Sequence, residues 1–206
     1  MTRPGSPVPR RALLIAGGAA LAAGGLAFWL PGPSREFKSV DITGAAYARD
    51  FSLVDHTGRA RKLNDFRGHV VAVFFGFTQC PDVCPTTLSE MTRVKQLLGS
   101  DGNKLQVIFI TVDPQRDTPE VLRAYMRNFD PQHLALVPNE KQLTEVTKEF
   151  KIHYKKIEGK TPTAYAMEHS AVTYIFDPRG RVRLYARYGL DPEALASDVR
   201  KLLKEA

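Results

Sequence analysis

The stretch Val70-Val71-Ala72-Val73-Phe74-Phe75-Gly76-Phe77-Thr78-Gln79-Cys80-Pro81-Asp82-Val83-Cys84-Pro85 decides the fold. Its first six residues are β-branched, aromatic or small and carry no charge, which suits a central strand buried on both faces. Gly76 ends that run, and a turn holding the chain's only two cysteines follows at once. Pro81 biases Cys80 toward an extended backbone and supplies the fixed φ that suits the second position of a turn. Pro85 pushes Cys84 out of the helical region and is itself suited to open a helix. Cys84, Leu88, Met91, Val94 and Leu98 then recur at helical spacing, so strand, cysteine turn and amphipathic helix follow one another.

Two sulfurs this close can form a disulfide, carry out thiol exchange or hold a soft metal ion. A structural disulfide across so short a loop would remove little chain entropy and stabilise weakly. Cys84 beside a helix N-terminus is expected to favour the thiolate, which is both the nucleophile and the metal ligand.

Working outward, Leu105–Val112 reads as a second buried strand, Pro119 opens a helix running through Phe129, and Leu134–Val137 is a short strand. Residues 140–150 read as a third helix, and residues 156–168 as a polar loop. Ala171–Phe176 and Val182–Tyr185 flank Asp177-Pro178-Arg179-Gly180, a hairpin signal. A last helix is expected from about Pro192 to Lys204. Upstream, Phe51, Leu53 and Leu63 frame a peripheral hairpin with its turn near Gly58. The order is that of an α/β fold with a partly parallel sheet, whose sites form outside the carboxyl ends of the strands.

The chain has 206 residues, 43% of them hydrophobic and 25% charged, which is ordinary globular composition. Its net charge of +7 is concentrated at the start: without Arg3, Arg10, Arg11 and Arg35, which precede the first acidic residue, 25 basic residues face 22 acidic ones. That balance, with no basic stripe interleaved with aromatics, argues against a nucleic-acid partner. Residues 12–30 carry no charge, and as a helix rising about 1.5 Å per residue they would just cross a hydrocarbon core of about 30 Å. A cleaved signal peptide and a twin-arginine signal at Arg10-Arg11 compete with that reading. The length of the apolar run and its Phe28-Trp29-Leu30 end favour an uncleaved anchor. The arginines before it place the start in the cytoplasm and the rest across the membrane. The expected organisation is a basic start, anchor and linker over 1–35 and an exported domain over 36–206, on a bacterial cytoplasmic membrane with a single pass.

A chelating thiolate pair needs further ligands, and the chain offers His56, His69, His133, His153 and His169. His56 falls in the hairpin turn, His69 at a strand start, and His133 and His153 beside short peripheral segments, and all four read as structural or surface residues. His169 leads directly into the Ala171 strand, with Glu168 beside it to orient the ring. Two soft thiolates and one imidazole suit copper, as Cu(I) or Cu(II), better than structural zinc, which wants four protein ligands.

Three ordered motifs carry a resemblance. Phe75 to Leu88, Val112-Asp113-Pro114-Gln115-Arg116-Asp117-Thr118-Pro119, and His169-Ser170 before Tyr174-Ile175-Phe176-Asp177-Pro178-Arg179-Gly180 resemble the Sco/SenC family over roughly residues 48–204. The resemblance implies a thioredoxin-like domain with a central mixed sheet flanked by helices, exported and tethered by an N-terminal transmembrane helix. It implies a monomeric copper chaperone that takes the ion from a periplasmic donor to the binuclear copper site of cytochrome c oxidase subunit II, with Cys80, Cys84 and His169 as metal ligands. It also implies that Asp113 and Asp117 lie near the metal loop, as ligand neighbours or as loop caps. An alternative is a thiol-disulfide reductase using Cys80 and Cys84 as a redox-active pair to keep the target's cysteines reduced. The three-residue spacer and the lack of a proline immediately before the Ala171 strand depart from ordinary thioredoxins and argue against general disulfide exchange. A thiol peroxidase is a weaker reading, because the spacing around Cys80 departs from the usual peroxidatic motif.

Overall fold

The computed structural model describes residues 36–159 and 164–205. The expected anchor at 12–30 and the linker at 31–35 lie outside the described residues. Among the described residues no helix is long and apolar enough to cross a membrane.

In chain order the elements are β1 (Val40–Asp41), β2 (Ser52–Asp55), β3 (Ala60–Lys62), β4 (Val70–Gly76), α1 (Val83–Leu98), β5 (Leu105–Thr111), α2 (Pro119–Met126), β6 (Leu134–Val137), α3 (Glu140–Glu149), β7 (Tyr154–Ile157), β8 (Ala166–His169), β9 (Val172–Phe176), β10 (Val182–Arg187) and α4 (Pro192–Lys204). They build a thioredoxin-like α/β fold around a sheet of order β1-β10-β9-β4-β5-β6-β2-β3. β4 runs parallel to β5 and β5 parallel to β6, while β9 lies antiparallel on the other side of β4. The sheet is therefore mixed, with β4 inside it and all seven of its residues buried.

The alternation of a strand assigns each side chain of β4 to one face. Val71, Val73 and Phe75 point into a cluster with Leu143, Val146 and Phe150 from α3 and its end, and with Tyr174 and Phe176 from β9. Val70, Ala72 and Phe74 point into a second cluster with Leu88, Met91 and Val94 of α1, Leu122 of α2 and Val199 of α4. Parallel pairing requires crossovers, and α1 and α2 supply them on the same face, so the turns after β4 and β5 come out at the same end of the sheet.

Three expectations need correction. Helix α1 begins at Val83, two residues before Pro85, because a proline in the first turn gives up an N–H that has no intrahelical partner there. Residues 156–168 are not simply a loop: β7 and β8 pair as an antiparallel ribbon, with Tyr154 opposite His169. The hairpin near Gly58 is part of the central sheet, since β2 also pairs with β6. The φ of +89° at Gly58 shows why a glycine stands in that turn.

Candidate metal centre

The end of β4 sets the first two positions. After Phe77 the chain turns back, with the Cys80 amide donating to the Phe77 carbonyl at 3.2 Å. Cys80 is half-buried and packs against both hydrophobic clusters, so it sits at the rim of the sheet. Cys84 lies within the first turn of α1 and is fully buried. Its sulfur presses on the backbone of Gly76, where a Cβ would lie only 2.6 Å from Cys84 Sγ. Both cysteines are free thiols.

His169 ends β8, 85 residues beyond Cys84, and its Nε2 lies 3.6 Å from Cys84 Sγ. The other ring nitrogen, Nδ1, is 3.2 Å from the Ser170 carbonyl, an acceptor for its proton. That bond fixes the tautomer with the Nε2 lone pair facing the sulfurs. The Phe77 ring stands edge-on to the imidazole, centroids 5.9 Å apart and planes at 87°. Sγ of Cys80, Sγ of Cys84 and a ring nitrogen of His169 all lie within 4.8 Å of one another. These three residues can form a metal site.

Burial governs the electrostatics. It pushes the Cys84 thiol far above its ordinary range, and the neighbouring Cys80 and Asp117 push the same way against a hydrogen bond to the Phe77 backbone. The expected thiolate preference at a helix N-terminus is therefore overturned for Cys84. A helix end stabilises a charge by about 0.3–1 kcal/mol, and full desolvation of the sulfur outweighs it. Burial likewise lowers the pKa of His169, keeping the ring neutral and able to act as a ligand.

Asp113 and Asp117 lie at the same end of the sheet, as expected, and organise loops. Asp117 is fully buried and accepts from Thr78 Oγ1 at 2.5 Å, the Thr78 amide at 3.1 Å and Thr111 Oγ1 at 2.6 Å. It thereby ties the start of the cysteine turn to the end of β5. Burial raises its pKa while these donors oppose the rise. Asp113 accepts from Arg116 Nε at 2.5 Å and from the Tyr165 hydroxyl at 2.8 Å. Glu168, expected to orient His169, is instead exposed and pairs across the ribbon with Lys155, leaving the Ser170 carbonyl to do so. The other four histidines are not brought to the sulfurs. His56 accepts from the Ala135 amide at 3.1 Å, His133 is buried elsewhere, His69 stands before β4, and His153 is exposed beside Ser170. Phe77, Thr78 and Ser170 fall inside the motifs that carry the resemblance, but their residue types mark no role for them, and the fold shows what each contacts at the site.

The SCO1/SenC family model matches residues 40–204. An SCO2-like protein of Rickettsia typhi is 43% identical over 132 residues, covering 64% of this chain and 65% of its own. The chain thus spans just under two thirds of the length of that curated relative. Among solved structures, a copper-bound ScoI of Bradyrhizobium japonicum is 35% identical with a TM-score of 0.70, covering 76% of this chain and 99% of its own. A copper-bound yeast Sco1 is 28% identical with a TM-score of 0.70, covering 76% of this chain and 88% of its own.

Proposed function

The chain belongs to the SCO1/SenC family, and from that premise we propose that it is a copper metallochaperone whose cargo is held by Cys80, Cys84 and His169. The recipient in this reading is the binuclear copper site of cytochrome c oxidase subunit II, and the ion comes from a periplasmic donor. Residues 12–30 would anchor the protein in a bacterial cytoplasmic membrane with its folded domain on the exported side.

The observation that carries the reading is the convergence of two sulfurs and one imidazole nitrogen within 4.8 Å. Two soft donors and one borderline donor suit a three-coordinate Cu(I) ion, and an incomplete shell suits an ion that must be passed on. Binding requires both thiols to lose their protons, so loading releases them to solvent. His169 keeps its Nδ1 proton on the Ser170 carbonyl and offers Nε2. Cys84 forms the closed back of the site and Cys80 its half-exposed mouth, so exchange of ligands with donor or recipient would begin at Cys80.

A titration of the reduced chain with Cu(I) against a competing chelator tests this. One equivalent is expected, weakened about 10- to 100-fold or more in His169→Ala and further in either Cys→Ser variant. Equal affinity of His169→Ala and the unaltered chain would sink the reading.

The accessibility difference between the cysteines supports a second reading, a thiol-disulfide reductase. Cys80 would attack a target disulfide, and Cys84 would then displace the reduced target while forming the Cys80–Cys84 disulfide. The deep burial of Cys84, which holds its thiol protonated, slows the second step. Full reductase activity in His169→Ala, assayed on an oxidised target peptide, would favour this reading over the first.

A further inference from the structure

We propose that Arg116 is a positioning residue for the third ligand: it clamps the β7–β8 ribbon against the cysteine turn, so that His169 stays on the sulfurs and copper is released slowly. The assignment rests on the copper reading above for its consequence, and on the contacts of one guanidinium for its geometry.

Arg116 stands in the loop after β5 and reaches two other segments. Nε donates to Asp113 Oδ2 at 2.5 Å within its own loop. Nη1 leaves that loop, donating at 2.9 Å to Gln79 Oε1 in the cysteine turn and at 2.9 Å to the Tyr165 carbonyl just before β8. The guanidinium carbon lies 3.5 Å from the centroid of the Tyr165 ring. The Tyr165 hydroxyl returns to the same loop, donating to Asp113 Oδ1 at 2.8 Å. Lys156 Nζ of β7 is 4.1 Å from that ring centroid, so both strands of the ribbon meet at Tyr165.

A residue that merely capped its own loop would need only the Asp113 contact. The contacts to Gln79 and Tyr165 bridge 37 and 49 residues of sequence and join the segment carrying Cys80 to the strand carrying His169. The ribbon needs such a tie. Its strands pair with each other and not with the central sheet, and most of their residues are exposed. Among the described residues a further polar hold beside the site is the pairing of Ser170 with His153, where the Ser170 amide donates to the His153 carbonyl at 3.0 Å and the His153 amide to Ser170 Oγ at 3.0 Å. That pairing bonds the ribbon to itself, and towards the cysteines the ribbon otherwise relies on the His169 contacts with Cys84 and Phe77 and on the packing of Tyr154 and Met167 against the core. Only a planar, forked cation can stack on the ring and donate in two directions at once, so lysine is no substitute.

The test uses the full reduced chain and two readouts. In the metal-free protein, amide exchange at Met167, Glu168 and His169 should speed up about tenfold in Arg116→Met, with no rescue in Arg116→Lys. In the copper-loaded protein, transfer of Cu(I) to excess chelator should accelerate about tenfold in Arg116→Met, and by less than about twofold when His169→Ala is already present. Tyr165→Leu, which keeps Arg116 but removes the ring it stacks on and the hydroxyl bond to Asp113, should act in the same direction and serves if Arg116→Met misfolds. Unchanged exchange across the ribbon overturns the assignment. Equal acceleration with and without His169 also overturns it, because Arg116 would then act on the cysteine turn alone. If the unaltered chain takes up no copper while the ribbon still loosens in Arg116→Met, the clamp stands and the copper reading fails.

Discussion

Gly76 has a tightly constrained surrounding. It closes β4, its carbonyl accepts the Val112 amide at 2.8 Å, and a methyl group added to it would meet Cys84 Sγ at 2.6 Å and Phe109 Cε2 at 2.7 Å. Neither neighbour can retreat, since Cys84 and Phe109 are both fully buried and Phe109 packs edge-on to Phe74 with centroids 5.2 Å apart. Gly76→Ala should therefore destabilise the fold by about 1–3 kcal/mol, as overpacking does. Urea unfolding of the metal-free protein measures it, and a loss below about 0.5 kcal/mol, the range of an ordinary surface change, would show that the sulfur can shift freely. The sequence displays Gly76 as the end of a strand, but the reason for glycine is a close approach to a side chain eight positions away, which no spacing reveals. His169 is a similar case. Its place before the β9 strand marks it among five histidines, whereas its 3.6 Å approach to Cys84 exists only once the sheet has formed.

At the scale of elements, the first strand is held by the last helix. Asp198 of α4 is fully buried and accepts from the Lys38 amide at 2.9 Å and the Ser39 amide at 2.7 Å, just before β1. Asp198→Ala leaves these amides without their acceptor and should cost about 1–3 kcal/mol. The loss should be seen as faster hydrogen exchange at Lys38 and Ser39, with Asp198→Asn retaining part of the protection. Unchanged protection in Asp198→Ala would mean that packing of Phe37 alone holds the segment. Elements with strong apolar patterns were legible from the chain: the last helix lies at Pro192–Lys204 and the short strand at Leu134–Val137, as their residues indicate. Ribbon β7–β8 was not legible, because strands such as Tyr154-Lys155-Lys156-Ile157 lie mostly on the surface and lack the alternation that burial imposes on sequence. The start of α1 lies before Pro85 because a proline in the first turn forfeits no intrahelical hydrogen bond, which outweighs its disfavour of a helical predecessor.

For the whole molecule, the site is assembled from a turn after β4, a loop after β5 and a ribbon before β9, so it lasts only as long as the global fold does. Acid is the expected weak point, through a histidine remote from the candidate metal ligands. His133 is 1% exposed, and among the described residues neither ring nitrogen has a hydrogen-bond partner. Burial pushes its pKa from 6.5 down to about 4, with the Lys95 cation adding to the fall and the Asp130 carboxylate opposing it. Above the unfolded value of 6.5 neither state takes a proton and His133 contributes no pH dependence. Below it the unfolded chain binds a proton that the folded chain refuses, so stability falls as pH falls, until the folded ring also titrates near 4. At 1.36 kcal/mol per pH unit, the loss between about pH 7 and pH 5 is about 2 kcal/mol. His133→Leu removes both the proton site and the two unpartnered nitrogens, so it should match or exceed the unaltered chain at neutral pH. Its urea midpoint should then fall less steeply on acidification, and parallel loss in the two proteins between pH 7 and pH 5 would exclude His133 as the source. Since His133 lies away from the cysteines and His169, the variant also separates acid loss of the fold from the proton competition that any thiolate metal site experiences.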